Sequence, residues 1–292
     1  MSESAAAAAA PLVTQSTRAR PVRERPVGAV PTRTTAVVIL AVAGILFLLP
    51  IGALLLFTFR VAGDPSAFTL AHYAAIFDPD QAYTYDGLFE GIGNSLVICA
   101  ITVLMVLLIL LPTMVLVELR YVRMRRVIEF VCLLPITVPT VVLVVGFVPV
   151  YQVVAGVFGP VPWTLSFAIG IIVLPYAYRP IQANLRSIDS VTLSEAARSL
   201  GAGWFTVLWR VILPNLRRGI LSAGFLTIAV VLGEFTIASF LTQTTFQTAL
   251  FLLQQTDPYV AAIFAVFALL FAFVLLAVIG RAGAIPRKRA KR

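Results

Sequence analysis

Six long apolar stretches constrain this chain more than any other feature of its sequence. They lie at about 35–59, 92–117, 127–150, 163–183, 219–241 and 259–279. A bilayer core about 30 Å thick is crossed by roughly 20 apolar residues in an α-helix. Because the runs are continuous rather than alternating, they exclude a transmembrane β-barrel. The sequence therefore predicts an all-α polytopic membrane protein with six transmembrane helices.

Composition supports this prediction, since 60% of the 292 residues are hydrophobic and only 12% are charged. A soluble domain usually has about 45–50% apolar and about 25% charged residues. The third run contains Pro135, Pro139 and Pro149, and it is the least regular of the six. Proline within a membrane helix frees a backbone carbonyl, which neighbouring helices or water must satisfy. The pattern therefore favours a packed bundle with kinks over independent anchors.

The basic residues indicate how the chain is oriented. Five arginines lie in the tail 1–34, four in 118–126, five in 184–218 and six basic residues in the tail from 281 onward. Cytoplasmic loops are enriched in Lys and Arg. We therefore expect both termini in the cytoplasm, and we read the net charge of +9 as a topology signal rather than a nucleic-acid site. The expected organisation is a disordered tail 1–34, a first helix with its outer loop at 35–91, a main membrane domain at 92–280 and a second basic tail at 281–292.

Several kinds of chemistry are disfavoured. The only lysines are Lys288 and Lys291, so no P-loop lysine follows a glycine-rich turn. Cys99 and Cys132 lie inside apolar runs and His72 is the only histidine, so we expect no metal site and no cofactor. No catalytic residue is predicted, and an integral-membrane enzyme is less favoured than transport or conduction. If ATP drives transport, its hydrolysis is expected in a separate subunit.

The longest internal loop with basic residues, 187–218, has a pattern of its own. Thr192–Glu195 has the Ser/Thr-x-x-Glu form of a capping box, which predicts the start of a helix. Gly201 is expected to end that helix, and a second short amphipathic segment, 204–212, to end at Leu213–Pro214. An apolar face of the first helix is predicted from Leu193, Ala196, Ala197 and Leu200. One interpretation of this loop is an amphipathic helix resting on lipid.

The spacing within the loop points to a family. Glu195, Ala196 and Ala197 are separated by three residues from Gly201. Nine intervening residues then precede Val211, and one more residue separates Val211 from Leu213–Pro214. This resembles the EAA loop of ABC-importer permeases, Glu-Ala-Ala-x3-Gly-x9-Ile-x-Leu-Pro, with valine in place of isoleucine. The resemblance implies a type I ABC importer permease fold over about 92–279. It also implies that Glu195, Ala196, Ala197, Gly201, Leu213 and Pro214 couple the chain to an ATPase.

The same resemblance implies the cell membrane of a prokaryote as the location, and it also implies partners. They are ATP-binding cassette ATPase subunits, a second and different permease subunit, and an extracytoplasmic substrate-binding protein. Two other classes remain as alternatives. A secondary transporter or exporter component would be expected to show internal repeats and more ionisable groups in its spans. A channel would need a filter-like segment or a charged ring, and the sequence shows neither.

Glu234 places a carboxylate within the fifth run. An intramembrane charge costs at least about 2.5 kcal/mol, so such a residue is either protonated or hydrogen-bonded, or it faces a substrate pathway. Gly233-Glu234-Phe235, followed by the polar segment 242–248, resembles the spermidine/putrescine, iron, thiamine and aminoethylphosphonate branch of the family. A polyamine or related amine is therefore the favoured cargo, with iron, thiamine, phosphonate or sugar as alternatives.

Overall fold

The computed structural model describes residues 33–284, and helices dominate them. The α-helices are α1 (Arg33–Phe57), α2 (Ala71–Ala75), α3 (Ala82–Leu119), α4 (Arg125–Leu133), α5 (Thr140–Phe158), α6 (Leu165–Ser187), α7 (Ser190–Ser199), α8 (Trp204–Thr206), α9 (Leu213–Leu232), α10 (Thr236–Phe240), α11 (Phe246–Thr256) and α12 (Pro258–Ala284). Short 3-10 turns lie at Pro79–Gln81, Val122–Met124, Leu134–Thr137 and Pro162–Thr164, and a π-helical segment lies at Val207–Ile212.

Six of the described helical stretches are long and apolar enough to cross a membrane. They are Arg33–Phe57, Thr84–Leu119, Thr140–Phe158, Pro162–Ser187, Trp204–Leu232 and Pro258–Arg281. The prediction of an all-α protein with six transmembrane helices is confirmed. The chain divides into two units, Met1–Pro50 and Ile51–Arg292, and the site described below lies within the second.

The two predicted basic tails fall mainly on residues 1–32 and 285–292, which lie outside the described residues. Their inner ends are helical, because Arg33 and Thr34 open α1 and Arg281–Ala284 close α12. The second span also begins earlier than its apolar run, since α3 starts at Ala82 and continues without interruption to Leu119.

The third span was placed wrongly by the sequence. The predicted run 127–150 is divided between α4, the 3-10 turn Leu134–Thr137 and the later helix α5. Pro139 stands immediately before α5 with an extended ψ of 135°. Val138, which precedes Pro139, is extended with φ of −107° and ψ of 130°, as proline favours for the residue before it, so the helical path is interrupted here. The span therefore shifts to Thr140–Phe158 and leaves only a short connection before Pro162.

The fifth span also differs from the prediction of 219–241. Its helix does not begin after Leu213–Pro214 but runs from Trp204 through the π-helical segment and past Pro214 into α9. The wider π turn accommodates a proline whose ring would clash with a carbonyl one turn earlier. At the other end α9 stops at Leu232, and the short helix α10 follows after a break at 233–235.

The core forms mainly between α3, α6 and α9. The α6 span is the most buried of the six, and its Leu165, Ile181 and Val173 are completely enclosed together with Leu216 and Ala223 of α9. Outward-facing side chains of the spans remain large and apolar, as expected for helices solvated by lipid.

A small hairpin, which the sequence analysis did not predict, follows α1. Strands β1 (Arg60–Val61) and β2 (Asp64–Phe68) pair antiparallel. The Asp64 carboxylate accepts from the Ser66 hydroxyl at 2.6 Å and the Ser66 N–H at 2.9 Å, and these bonds hold the pKa of Asp64 below its usual value. The hairpin lies in the segment predicted to face outward.

Candidate functional site

The first helix of the 187–218 loop begins earlier than a capping box at Thr192–Glu195 would require. Helix α7 starts at Ser190, and the side chain of Asp189 accepts the backbone N–H of Thr192 at 3.2 Å. The predicted capping box is therefore wrong, because Asp189 already satisfies that N–H group. Contacts from the Thr192 hydroxyl and N–H stabilise the charged carboxylate and lower the pKa of Asp189. Glu195 takes no part in the cap and stays exposed.

The end of α7 was predicted correctly at Gly201. The Gly201 N–H donates to the Arg198 carbonyl at 2.9 Å, and the Ala202 N–H donates to the Ala197 carbonyl at 3.1 Å. This pair of bonds is a Schellman motif, in which the residue after the helix adopts a left-handed conformation. Gly201 does so with φ of +83°, which explains why glycine stands at this position.

The face of α7 that packs on the bundle is not the predicted apolar face. Ser190 and Ser194 are buried and Ala197 is half-buried, whereas Leu193, Ala196 and Leu200 are exposed. Short serine side chains let α7 lie close to the π-helical segment and the end of α3. The apolar side chains of α7 are consequently left unpacked, and 88% of Leu200 is accessible.

Aromatic side chains extend this unpacked surface. We call it the loop surface, and it consists of the exposed residues Val191, Leu193, Leu200, Trp204, Phe205 and Trp209. The rings of Phe205 and Trp209 lie against each other with centroids 5.8 Å apart. Exposed apolar side chains in such numbers on one short segment are typical of a surface that contacts either a protein partner or lipid. Of the remaining predicted loop residues, Leu213 is half-buried and Pro214 is exposed.

A polar network that sequence reasoning missed holds the base of this loop. Arg125 of α4 reaches Glu118 of α3 at 3.4 Å, and Arg186 of α6 reaches Glu129 of α4 at 3.9 Å. Between them lies buried Gln182, whose amide oxygen accepts from Nε of Arg125 at 3.1 Å and of Arg186 at 3.3 Å when the amide is oriented to satisfy both. The network joins α3, α4 and α6 immediately before α7 begins.

Glu234 lies at the far end of α9 from the loop, and a 20-residue helix spans about 30 Å. It occupies the break between α9 and α10 rather than the regular helix that the sequence predicted. Its Oε1 accepts the backbone N–H of Ile237 at 2.6 Å, and the residue is half-buried. The carboxylate is thus bound to the first turn of its own following helix.

A cavity of about 590 Å³ lies at this end of the bundle, and half of the residues that line it have polar side chains. It is an open cleft bordered by the first turns of α3, the segment 235–244 and α11, and its polar groups are Glu90, Ser239, Gln243 and five threonines. Glu90 is the one ionisable side chain among the described residues that line it, and Glu234 is not among those residues. We call this space the polar cavity. The polar segment 242–248 stands out in the sequence, whereas Glu90 falls in the range 35–91 that was expected to hold only the first helix and its outer loop.

The wall of the polar cavity is fixed by close contact between α3 and α11. A Cβ atom on Gly91 would lie 2.6 Å from the Thr245 carbonyl oxygen, so the two backbones meet there without an intervening side chain. The Asn94 amide donates to the Thr244 carbonyl at 3.0 Å. Thr245 then caps α11 in a reciprocal capping box with Thr248.

Comparison with known proteins identifies the family. Residues 115–284 match the model of the binding-protein-dependent transport system inner membrane component. A probable ABC transporter permease protein, y4fN of Sinorhizobium fredii, is 27% identical over 67% of this chain and 35% of its own length.

Two further relatives are similar over shorter regions. Sulfate permease 2 of the Chlamydomonas reinhardtii chloroplast is 38% identical over 24% of this chain and 19% of its own. The spermidine/putrescine transport system permease protein PotC of Haemophilus influenzae is 30% identical over 37% of this chain and 41% of its own. The chain spans less than half the length of each of these three relatives.

The matched region runs from the end of α3 to the end of α12 and contains both α7 and Gly201. It covers more than half of the chain, and it includes the loop whose spacing suggested the resemblance. The chain therefore belongs to the family of binding-protein-dependent transport system inner membrane components, the permeases of ABC importers.

Proposed function

We propose that the chain is a transmembrane permease subunit that forms half of the translocation pathway of a binding-protein-dependent ABC importer. In this proposal it works in a prokaryotic cytoplasmic membrane with both termini inside. Its partners are ATP-binding cassette ATPase subunits, a second and different permease subunit, and an extracytoplasmic substrate-binding protein. The observation that carries the proposal is the exposed loop surface, which lies at the end of the bundle where the basic residues predict the cytoplasm.

Helix α7 is well suited to act as a rigid coupling element. Its start is fixed by Asp189 and its end by Gly201, so it has defined ends despite its length of ten residues. Glu195 and Ala196 face away from the bundle. Glu195 can form an ion pair with an arginine of the ATPase, and the small Ala196 side chain permits close approach of a partner helix.

The attachments of the loop give movement a route into the bundle. Ser187 ends α6 only two residues before the Asp189 cap, and the π-helical segment continues directly into α9. These two helices pack against each other in the core. A displacement of α7 by an ATPase is therefore transmitted to both helices. Coupling over such a distance is carried by rigid, packed elements that can adopt two discrete arrangements.

Resting on lipid is the other possible fate of the loop surface. Its tryptophans and phenylalanine suit a membrane interface. The polar outer side of α7, which presents Glu195 and Ser199 to solvent, favours a protein partner. The two possibilities differ in what Glu195 contributes, since a lipid surface gains nothing from a carboxylate there.

For cargo we propose a polyamine or a related small amine. PotC, one of the relatives above, is named for spermidine and putrescine. The chloroplast relative is named for sulfate, which is an anion of very different size and charge. The carboxylate of Glu90 in the polar cavity favours the amine. Glu234 contributes to the pathway by holding the segment 235–244 that forms part of the cavity wall.

Co-purification tests the coupling role. The tagged chain, expressed with its own transport system, is extracted in mild detergent, and the retained ATP-binding cassette subunit and its ATPase activity are measured. We expect Glu195→Ala to lose most of the retained ATPase. Asp86→Ala, which removes an equally exposed acid near the opposite end of the bundle, should keep it. Failure of the unmodified chain to retain any ATP-binding cassette subunit would contradict the proposal, and equal retention by both variants would favour the lipid alternative.

A further inference from the structure

We infer that the polar cavity is a binding site for an organic ammonium group, held by the carboxylate of Glu90 and the ring faces of Phe235 and Phe251. The inference rests on the proposed function and deepens it, because it names the site at which the cargo's positive charge is recognised. It also assigns that charge recognition to Glu90 and not to Glu234.

The size and the aromatic lining of the cavity fit such a ligand. Its volume of about 590 Å³ lies within the roughly 300–1,000 Å³ typical of small-molecule sites. Phe235 and Phe251 both line it, with ring centroids 5.2 Å apart and planes inclined at 56°. A cation within about 6 Å of an aromatic face is attracted by the negative face of the ring. Two rings at this separation can act on one ammonium group.

The electrostatics of the lining have one sign. Glu90 is exposed to the cavity, and the described lining residues include no basic side chain. Ser239, Gln243 and the threonines present hydroxyl and amide oxygens, which can accept hydrogen bonds from N–H groups of an amine. A cleft lined by one sign of charge concentrates ligands of the opposite sign. An anion such as sulfate would meet repulsion from Glu90 without a compensating cation.

Glu234 is less suited to this task because its carboxylate is already engaged. The bond from the Ile237 N–H is short, at 2.6 Å, and it anchors the start of α10. Glu90 has a much weaker internal contact, an Asn94 amide at 3.5 Å. The carboxylate that remains available to a ligand is therefore that of Glu90.

A charge-selective labelling experiment tests the inference with small charged reagents in place of the cargo. Ser239→Cys introduces a thiol into the cavity lining, and the native Cys99 and Cys132 are buried. The thiol is modified in the assembled transporter with trimethylammonium-ethyl methanethiosulfonate or with sulfonato-ethyl methanethiosulfonate. Each labelling rate is divided by the rate at which the same reagent modifies a small free thiol, which corrects for the intrinsic reactivity of the reagent. We expect the cationic reagent to be favoured at least about tenfold at low ionic strength.

A second substitution, combined with Ser239→Cys, then identifies which groups produce the preference for the cationic reagent. Glu90→Gln should bring the ratio of the cationic to the anionic labelling rate close to one, and Glu90→Asp should retain most of the preference. Phe251→Leu should reduce the cationic rate about two- to fivefold and leave the anionic rate unchanged. Asp86→Asn is the matched control, because it removes an exposed acid of the same helix that is not among the cavity's described lining residues, and it should keep the preference.

The results separate this inference from the proposed function. Three results overturn the ammonium site in a transporter that retains its ATPase subunit. They are the absence of any preference for the cationic reagent in the Ser239→Cys variant, a preference that survives Glu90→Gln unchanged, and a preference that Asp86→Asn abolishes as fully as Glu90→Gln does. A cation preference that depends on Glu90, in a chain that retains no ATPase, would instead overturn the importer function and leave the cation site in place.

Discussion

Gly219 of α9 donates its backbone N–H to Oδ1 of Asn184 in α6 at 3.3 Å, at a point where the two helices are in close contact. A Cβ atom at position 219 would lie 2.8 Å from the Asn184 Cβ and 2.9 Å from the Pro180 carbonyl oxygen. Because α6 leads into the 187–218 loop and α9 follows it, this contact joins the two attachments of the loop. The absence of a side chain at Gly219 is therefore a condition of the crossing.

The first prediction concerns this crossing. Gly219→Ala should force α6 and α9 apart and destabilise the protein by about 1–3 kcal/mol, as overpacking does. Thermal unfolding in detergent measures the effect. Gly224→Ala is the control in the same helix, because its new Cβ would meet only Val103 Cγ1 at an ordinary 3.9 Å. Equal stability of the two variants would show that the crossing tolerates a methyl group.

The second prediction separates conformation from space at Gly201. A Cβ there would have no neighbour within 4 Å, but φ is +83°, so the cost of Gly201→Ala is one of backbone conformation, about 1–2 kcal/mol. We expect Gly201→Ala to retain less ATPase while the membrane fold stays intact. Gly201→Asp, which also adds a charge, should lose more of the ATPase. Gly201→Asn should retain more of it than Gly201→Ala, since asparagine tolerates this conformation better.

Gly203→Ala provides the matched control two residues away. Gly203 also has open space around it, but its φ is −72° and suits any residue. ATPase retention should therefore be normal in this variant. If Gly201→Ala and Gly203→Ala behave alike, the left-handed turn is not needed for coupling.

The third prediction is a pH dependence of α7. The folded pKa of Asp189 is lowered, so its contribution to helix stability is present above the pKa of the unfolded chain and disappears as the pH falls through the folded value. Hydrogen exchange of the α7 amides should show weaker protection below the ordinary carboxyl pKa of 3.8. Asp189→Asn caps the helix without titrating. The difference in amide protection between the two proteins should therefore vanish at low pH, where Asp189 is neutral, and appear at higher pH, where Asp189 is charged.

The fourth prediction concerns Glu234. Glu234→Ala would leave the buried Ile237 without its N–H acceptor, at a cost of about 1–3 kcal/mol, and should loosen α10 in hydrogen exchange. Glu234→Gln keeps an acceptor oxygen and should stay close to the parent protein in exchange and in amine uptake. If the glutamine variant keeps normal exchange but loses uptake, the charge of Glu234 itself faces the cargo.

The fifth prediction is the orientation of the chain. In intact cells, an impermeant maleimide should label Gln255→Cys, which is exposed in α11, and should not label Leu200→Cys in the loop surface. Opening the cells should expose the second position. The reverse pattern would place the loop on the outside, where no ATPase could reach it.

Some features could be read from the sequence because their causes are local. The length of an apolar run is compared directly with bilayer thickness, so the number of spans could be predicted before any contact was known, although the bounds of the third and fifth could not. The left-handed turn at Gly201 depends on one residue type at the end of one helix. The spacing from Glu195 to Pro214 lies within a single loop, and it was enough to indicate the family that the match over residues 115–284 confirms.

Other features arose only from tertiary structure. Helix ends within the membrane depend on which backbone groups find a partner, and Glu234 supplied one for Ile237 that apolar periodicity could not reveal. The packed face of α7 was set by what lies beneath it, so serines were buried and leucines were left exposed. The polar cavity joins Glu90 to residues about 150 positions later, through backbone contact between Gly91 and Thr245. Hydrophobicity determines that a segment enters the membrane, whereas the close approach of distant helices determines which polar groups meet there.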